Sequence, residues 1–192
     1  MQYYLIYKPY GILSQFSDEG EKKGLGSVFP FPKDVYPVGR LDADSEGLLL
    51  LTNDTRLNQR MLNPKFAHPR TYYVQVEGTV TAEAISQLQE GVYITVDGKR
   101  YLTRPAKCEQ INPPALPDRH PPIRFRKTVP DSWISLTLTE GKNRQVRKMT
   151  AAAGLPTLRL VRVKIGKLEM QEMESGKVIE LNQEIVYASL GR

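Results

Sequence analysis

Gly39-Arg40-Leu41-Asp42-Ala43-Asp44-Ser45-Glu46-Gly47-Leu48-Leu49-Leu50-Leu51-Thr52-Asn53-Asp54 is the stretch from which the rest of the chain can be read. Four consecutive leucines are too few to cross a bilayer and suit a fully buried strand. A charged turn runs straight into that strand. Arg40, Asp42, Asp44 and Glu46 therefore stand where the chain enters the core, between Gly39 and Gly47, two residues able to take unusual backbone angles. A carboxylate held there is partly dried out yet reaches solvent, a setting in which ionisable groups take on chemistry. The charges alone fit equally a surface hairpin with a solvated acidic tip.

Taken whole, the sixteen residues closely resemble the GRLDxxSEGLLLLTND signature of the RsuA branch of RNA pseudouridine synthases, enzymes that turn a uridine in RNA into its C-glycoside isomer. The resemblance implies that Asp42 is the catalytic aspartate. It makes Arg40, two places earlier, an RNA contact that fills the space left by an extruded base, with Asp44 and Glu46 as neighbours.

The bulk properties agree. A chain of 192 residues can bury a sizeable core, as one catalytic domain over 1–192 or as two lobes sharing one sheet. Lys and Arg outnumber Asp and Glu by 27 to 21, a net charge of +6 that favours a polyanionic partner. One cysteine, Cys108, and two histidines offer no disulfide and no zinc-type spacing, so no metal is expected. The start, Met1 to Gly11, lacks the basic end and apolar core of a secretion signal, and no run reaches membrane-spanning length. A cytoplasmic location without membrane association follows as the expectation.

Tyr3 to Tyr7 reads as a strand stopped by Lys8-Pro9-Tyr10-Gly11, which resembles the family's KPxG opening. Lys8 reads as an RNA contact or a solvated strand end. Many relatives carry an S4 module before this element, and none is expected here. Ser14 to Lys33 is polar and punctuated by glycine and proline, and within it Asp18 to Gly24 reads as a mobile loop, either closing on RNA or merely connecting. Asn53-Asp54 should cap a helix from Thr55 to Leu62 that packs Leu57, Met61 and Leu62 on the sheet.

Arg70 to Gly78 alternates as a strand with Tyr72, Val74 and Val76 on one face and Tyr73 on the other. Arg70-x-Tyr72-x-Val74 resembles the family's basic-x-Tyr-x-Val element, which implies that Tyr72 stacks on the extruded uracil and Arg70 contacts RNA. Thr81 should cap a helix to Glu90 that Gly91 ends, and Val92–Val96 turns at Asp97-Gly98 into a strand near Tyr101, both as scaffold.

Residues 112–130 hold six of the fourteen prolines and cannot form a regular helix or central strand. Arg119, His120, Arg124, Phe125, Arg126 and Lys127 supply cations and a ring suited to RNA, or to a merely soluble loop. The Pro121-Pro122-Ile123-Arg124-x-Arg126-Lys127 stretch with Pro130-Asp131-Ser132-Trp133 resembles the RluE subfamily, which likewise lacks the S4 module and acts on large-subunit ribosomal RNA.

Ser132 to Thr139 alternates as a half-buried antiparallel strand. In Glu140-Gly141-Lys142-Asn143-Arg144-Gln145-Val146-Arg147-Lys148-Met149, helical spacing sets Arg144, Arg147 and Lys148 opposite Val146, Met149 and Ala153, and Gly154 ends the helix. The run resembles the family's EGxxxQV(R/K)xM element, which implies that Arg147 pairs with Asp42 and that Lys142, Arg144 and Lys148 contact RNA. Leu158 to Gly166 reads as a strand and resembles the closing LxRxxIG element, with Leu160 and Ile165 as uracil-pocket walls or core and Arg162 structural or RNA-facing.

The resemblance implies one chemistry. Breaking C1′–N1 and rejoining C1′ to C5 calls for a group that stabilises or captures a cationic sugar, as carboxylates do in glycosidases. One carboxylate suffices, because uracil itself returns. A bidentate arginine such as Arg147 can keep Asp42 charged and aimed. Tyr72 could also help remove the C5 proton. Attack on the sugar, attack on uracil and abstraction of a sugar proton are all open to Asp42.

The expectation is an α+β pseudouridine synthase fold with a mainly antiparallel central sheet, flanking helices and an active cleft, working without cofactor or metal. Its substrate would be 23S ribosomal RNA or a large-subunit assembly intermediate, and the enzyme a monomer. The competing reading is a non-catalytic RNA-binding or ribosome-assembly protein that keeps the fold; loss of Asp42, Tyr72 or Arg147 would favour it, and all three are present. A glycoside hydrolase using Asp42 with Asp44 or Glu46 would want a tryptophan-rich groove, and Trp133 stands alone.

Overall fold

The computed structural model describes residues 1–123 and 128–190. Along the chain run β1 (Tyr3–Lys8), β2 (Tyr36–Pro37), β3 (Glu46–Thr52), α1 (Thr55–Leu62), β4 (Arg70–Glu77), α2 (Ala82–Glu90), β5 (Tyr93–Val96) and β6 (Lys99–Leu102). Then come β7 (Lys107–Ile111), β8 (Asp131–Leu138), α3 (Gln145–Ala152), β9 (Thr157–Ile165), β10 (Leu168–Glu169), β11 (Val178–Leu181) and α4 (Gln183–Leu190). The chain divides into two compact units. The first comprises Met1–His68, Pro117–Pro121 and residues from Val161 on; the second comprises Pro69–Leu116 and Pro122–Leu160.

The first unit is built on the leucine run. Every residue of β3 is buried, and so is every residue of β1, which pairs with it antiparallel through Leu5↔Leu50. β1 pairs on its other edge with β11, also antiparallel. The far edge of β3 takes β9 in parallel, through Glu46↔Val161 and Gly47↔Arg162. Gly47 has φ +101, and a β-carbon there would run into the Arg162 backbone, so only glycine permits this pairing. The Asp54 carboxylate caps α1 by accepting from the Arg56 and Leu57 N–H groups, both at 3.1 Å. Its other oxygen accepts from the Tyr3 and Tyr187 hydroxyls at 2.8 and 2.7 Å, tying α4 to the same point.

One expectation for this unit needs correction. Leu57 and Met61 pack inward, but Leu62 is 53% exposed, because it lies at the last turn of α1, off the apolar stripe. The 14–33 segment carries local ties: Leu13 bridges Gly24, Glu19 and Lys22 exchange backbone bonds, and Leu25, in a 3-10 turn, is fully buried. Gly24 makes this fold-back possible, since a β-carbon there would meet the carbonyl oxygens of Phe16 and Ser17 at 2.6 Å.

In the second unit β4 pairs antiparallel with β8 along its whole length, with Tyr72 opposite Leu136, and β8 pairs antiparallel with β7. The first residues of β9 complete the order β9-β4-β8-β7. Thr81 caps α2 as expected, and Asp97 and Gly98, with φ of 49 and 75, form the β5–β6 turn. Val74, Val76, Leu88, Ile134, Leu136 and Met149 form the interior, with Tyr72 and Tyr101 half-buried against it. The architecture is α+β with mainly antiparallel pairing, as the sequence indicates. Between Asn112 and Pro130 none of the described residues is in a helix or strand. Arg124, Phe125, Arg126 and Lys127 lie outside the described residues.

Candidate active site

The turn that carries Asp42 is held from beneath by a lysine. Lys8 ends β1 opposite Gly47 and is fully buried, which corrects both the RNA contact and the solvated strand end. Its ammonium donates to the carbonyls of Ile12 at 2.7 Å, Pro9 at 2.9 Å and Ala43 at 3.5 Å. The same Ala43 carbonyl accepts from the Gly11 N–H at 2.7 Å, so the Lys8-Pro9-Tyr10-Gly11 turn grips the residue after Asp42. Burial pushes the Lys8 ammonium down to about 7, and the Arg162 cation acts the same way, against the pull of Glu46, Asp44 and Asp42.

On the other side of Asp42, Leu41 is clamped by Ser14. The Ser14 hydroxyl donates to the Leu41 carbonyl at 2.7 Å and accepts from the Leu41 N–H at 3.0 Å. A further bond from the Ser45 N–H to the Asp42 carbonyl closes the turn at 3.0 Å. Asp42 is half-buried, Arg40 is exposed, and Glu46 is buried within β3 with the Tyr7 hydroxyl 3.3 Å from its carboxylate. Arg162 is also buried, and its Nε donates to the Leu48 carbonyl at 2.7 Å; the structural alternative of its two readings holds. Pro117–Pro121 belongs to this unit, with the Arg119 guanidinium 4.2 Å above the Tyr10 ring and its Nε bonded to the Pro121 carbonyl.

The second unit holds Tyr72, Arg70, Lys142, Arg144, Arg147, Lys148 and Leu160. Its 140–145 turn closes on two side chains that sequence reading passed over. Gln145 is buried, accepts from the Lys142 N–H at 2.8 Å and donates to Glu140 at 2.7 Å. Glu140 also accepts from the Arg104 N–H at 2.9 Å and the Tyr101 hydroxyl at 2.5 Å. Burial opposes the charge on Glu140, but these donors, with the Arg104 cation, hold its carboxyl below the ordinary range. Both residues stand inside the quoted motif, where the basic residues drew the eye.

Arg144 is not on the helical face expected of it. It sits exposed before α3 in the left-handed region, φ 52, which turns the chain into the helix. Arg147 and Lys148 are half-buried on α3, with Val146 and Met149 facing the core. Arg70 lies beside the turn, its Nη1 3.6 Å from where a Gly141 β-carbon would stand. Leu160 and Ile165 are both buried, Leu160 in the second unit's interior and Ile165 in the first unit. Among the described residues no group of three or more His, Cys, Asp or Glu is placed to hold a metal ion.

Residues 2–152 match the family model described as RNA pseudouridylate synthase. The chain belongs to that family. It is an RNA pseudouridine synthase, an isomerase acting on RNA. It is 56% identical over 164 residues to ribosomal large subunit pseudouridine synthase E of Xanthomonas axonopodis pv. citri (strain 306), covering 84% of each chain. With the enzyme of the same name from Vibrio vulnificus (strain CMCP6) it shares 47% identity over 178 residues, 93% of this chain and 74% of that one. A crystal structure of a pseudouridylate synthase superposes with a TM-score of 0.80 at 29% identity, over 99% of this chain and 74% of the other. The signature around Asp42, the Arg70-x-Tyr72 strand and all of α3 fall within the matched span. No described helix is long and apolar enough to cross a membrane.

Proposed function

We propose that this synthase isomerises a uridine of 23S ribosomal RNA, with Asp42 as its catalytic carboxylate. The reading is supported most directly by the way Lys8 and Ser14 fix the backbone on both sides of Asp42 while leaving its side chain half-buried. A carboxylate that must be aimed at its target to within about an ångström needs that rigidity. The choice of large-subunit RNA rests on the names of the relatives from Xanthomonas and Vibrio.

The motifs assign the remaining roles. Tyr72 stacks on the extruded uracil and assists loss of the C5 proton, and Arg147 pairs with the catalytic aspartate. Arg40 replaces the departed base in its helix, an extrusion that costs on the order of a few kcal/mol. Arg70, Lys142, Arg144 and Lys148 meet phosphates. Free 23S RNA or an assembling large subunit serves as substrate, and the enzyme works as a cytoplasmic monomer.

The test is tritium release from C5-labelled uridine in protein-free 23S RNA, comparing the wild type with folded Asp42→Asn. Release by the wild type and a fall of at least about 1,000-fold in the variant are expected, the size typical for loss of a group on which the chemistry depends. Equal release by both would remove Asp42 from the mechanism.

A further inference from the structure

The β5–β6 hairpin reads in sequence as scaffold, yet its two faces are unlike. Its register pairs Ile94 with Tyr101 on the inner side, where Ile94 is buried and Tyr101 packs against the interior. The outer side pairs Tyr93 with Leu102 and Thr95 with Arg100. There Tyr93 is 54% and Leu102 50% exposed, in a unit that otherwise buries its large apolar groups well. The Arg100 guanidinium carbon lies 3.7 Å over the Tyr93 ring centroid, a close contact that holds a cation there while Arg100 stays exposed.

The local charge is mainly positive, with Arg104 partly offset by Glu140 at 3.9 Å. Between Tyr93 and Lys107, Asp97 is the sole acid against Lys99, Arg100, Arg104 and Lys107. The hairpin is also continuous with the turn before α3. The Tyr101 ring supports the Lys142 ammonium at 4.8 Å while its hydroxyl bonds Glu140. One hairpin thus orders two cation–ring pairs, Arg100 on its outer face and Lys142 at its inner edge. An apolar protein partner would match Tyr93 and Leu102 but not this run of cations. A polyanion with planar rings matches both, since a base can stack on an arginine plane and its phosphate can meet the lysines.

We propose that the outer face of the β5–β6 hairpin is a second RNA-contact surface, on which an unpaired base away from the target uridine stacks upon the Arg100–Tyr93 pair. The edge of the Arg100 guanidinium and Lys99 meet the adjoining phosphates. The surface rests on the proposed function only for the identity of the polymer. It supplies affinity and placement, not chemistry.

The experiment measures equilibrium binding of the full chain to protein-free 23S RNA across a salt series, alongside tritium release at saturating RNA. Tyr93→Ala should weaken binding about tenfold, as expected for loss of one stacked base, while Tyr93→Phe should bind like the wild type. Arg100→Gln should weaken binding and lower the salt slope by about one, and Arg100→Lys should restore the slope but not the affinity. All four substitutions are at exposed positions, so melting temperatures should match the wild type, and release at saturation should be unchanged. Tyr93→Ala and Arg100→Gln proteins that bind with wild-type affinity and slope would overturn the surface, even if the wild type releases tritium and the isomerase reading stands. Loss of binding in these variants, with no tritium released by the wild type, would support the surface and overturn isomerisation of that RNA.

Discussion

The Asp42 turn and the 140–145 turn solve the same problem with opposite charges. In the first, a buried cation, Lys8, donates to three backbone carbonyls. In the second, a largely buried anion, Glu140, accepts from a backbone N–H, a hydroxyl and an amide. Each central group is distinct from the residues for which we propose RNA contact or chemistry, and each ties backbone from a separate stretch of chain into its turn. The difference lies in the balance against water. Lysine loses a strongly hydrated point charge on burial and is pushed toward neutrality, whereas Glu140 gathers enough donors to stay charged. One turn should therefore loosen at a different pH from the other.

The sharpest break is Lys8→Met, which keeps the stem and removes the donors. The carbonyls of Pro9, Ile12 and Ala43 lose their lysine partner, while an expensive buried charge also disappears, and we expect a net loss of about 2 kcal/mol by denaturant unfolding. Activity should suffer more than stability. A shift of Asp42 by an ångström costs about 100-fold, so kcat should fall by that order in protein that is still folded at the assay temperature. Full kcat in folded Lys8→Met would show that the grip on Ala43 is irrelevant to the chemistry.

Glu140→Gln is the matched change in the other unit and should be milder. The amide oxygen can still accept from the Arg104 N–H and the Gln145 amide, while the Tyr101 hydroxyl must turn to accept from the new NH2, so charge assistance and one acceptor are lost, about 1 kcal/mol. The 140–145 turn loosens without losing its backbone path, and RNA affinity should fall about threefold at unchanged salt slope, because no phosphate-binding cation has been removed. A change in slope would mean that Lys142 or Arg144 had been displaced.

The pH dependence separates the two turns by sign. Lys8 titrates near 7 in the folded chain and at its ordinary 10.5 when unfolded, so between these values folding releases a proton. Its contribution is present above the unfolded value and is lost as pH falls toward 7. The stability difference between wild type and Lys8→Met should therefore rise from pH 7 to 10, by at most about 1.4 kcal/mol per pH unit. Glu140, held below its ordinary 4.5, contributes above that value and loses its contribution as pH falls through the lower folded one. The wild type should thus lose its advantage over Glu140→Gln on acidification below about 4.5 and show no such change between pH 7 and 10. Melting curves of the three proteins across both ranges decide the matter.

What could be read in advance, and what could not, follows the reach of the forces involved. The leucine strand, the Asp54 cap, the Thr81 cap and the Asp97-Gly98 turn depend on neighbours in sequence, and the chain states them openly. β7 and α4 were missed, since Lys107–Ile111 is a short, mostly polar run and Gln183–Leu190 is placed by the long-range bond from Tyr187 to Asp54. The site divides in the same way. Asp42, Tyr72 and Arg147 are legible through motifs, but Lys8 looked like a surface lysine because nothing local reveals that Ile12 and Ala43 come to meet it. Gln145 stood in plain view, yet its purpose depends on Glu140 and Lys142 folding back upon it.

The smallest expected effect refines the account of the Asp42 turn. Ser14 is far from Leu41 in sequence, and its hydroxyl both donates to and accepts from that one residue, as a neighbouring strand would. Ser14→Ala removes both bonds but leaves Lys8, Gly11 and Ser45 holding the far side of Asp42. A loss of about 1 kcal/mol is expected, partly relieved if water reaches the Leu41 amide. If rigidity on both sides of Asp42 matters, kcat should drop about threefold to tenfold while KM is unchanged, because the substrate still binds and only the aim of the carboxylate is relaxed. A rise in KM at constant kcat would instead place Ser14 in RNA binding and leave Lys8 as the principal anchor of the turn.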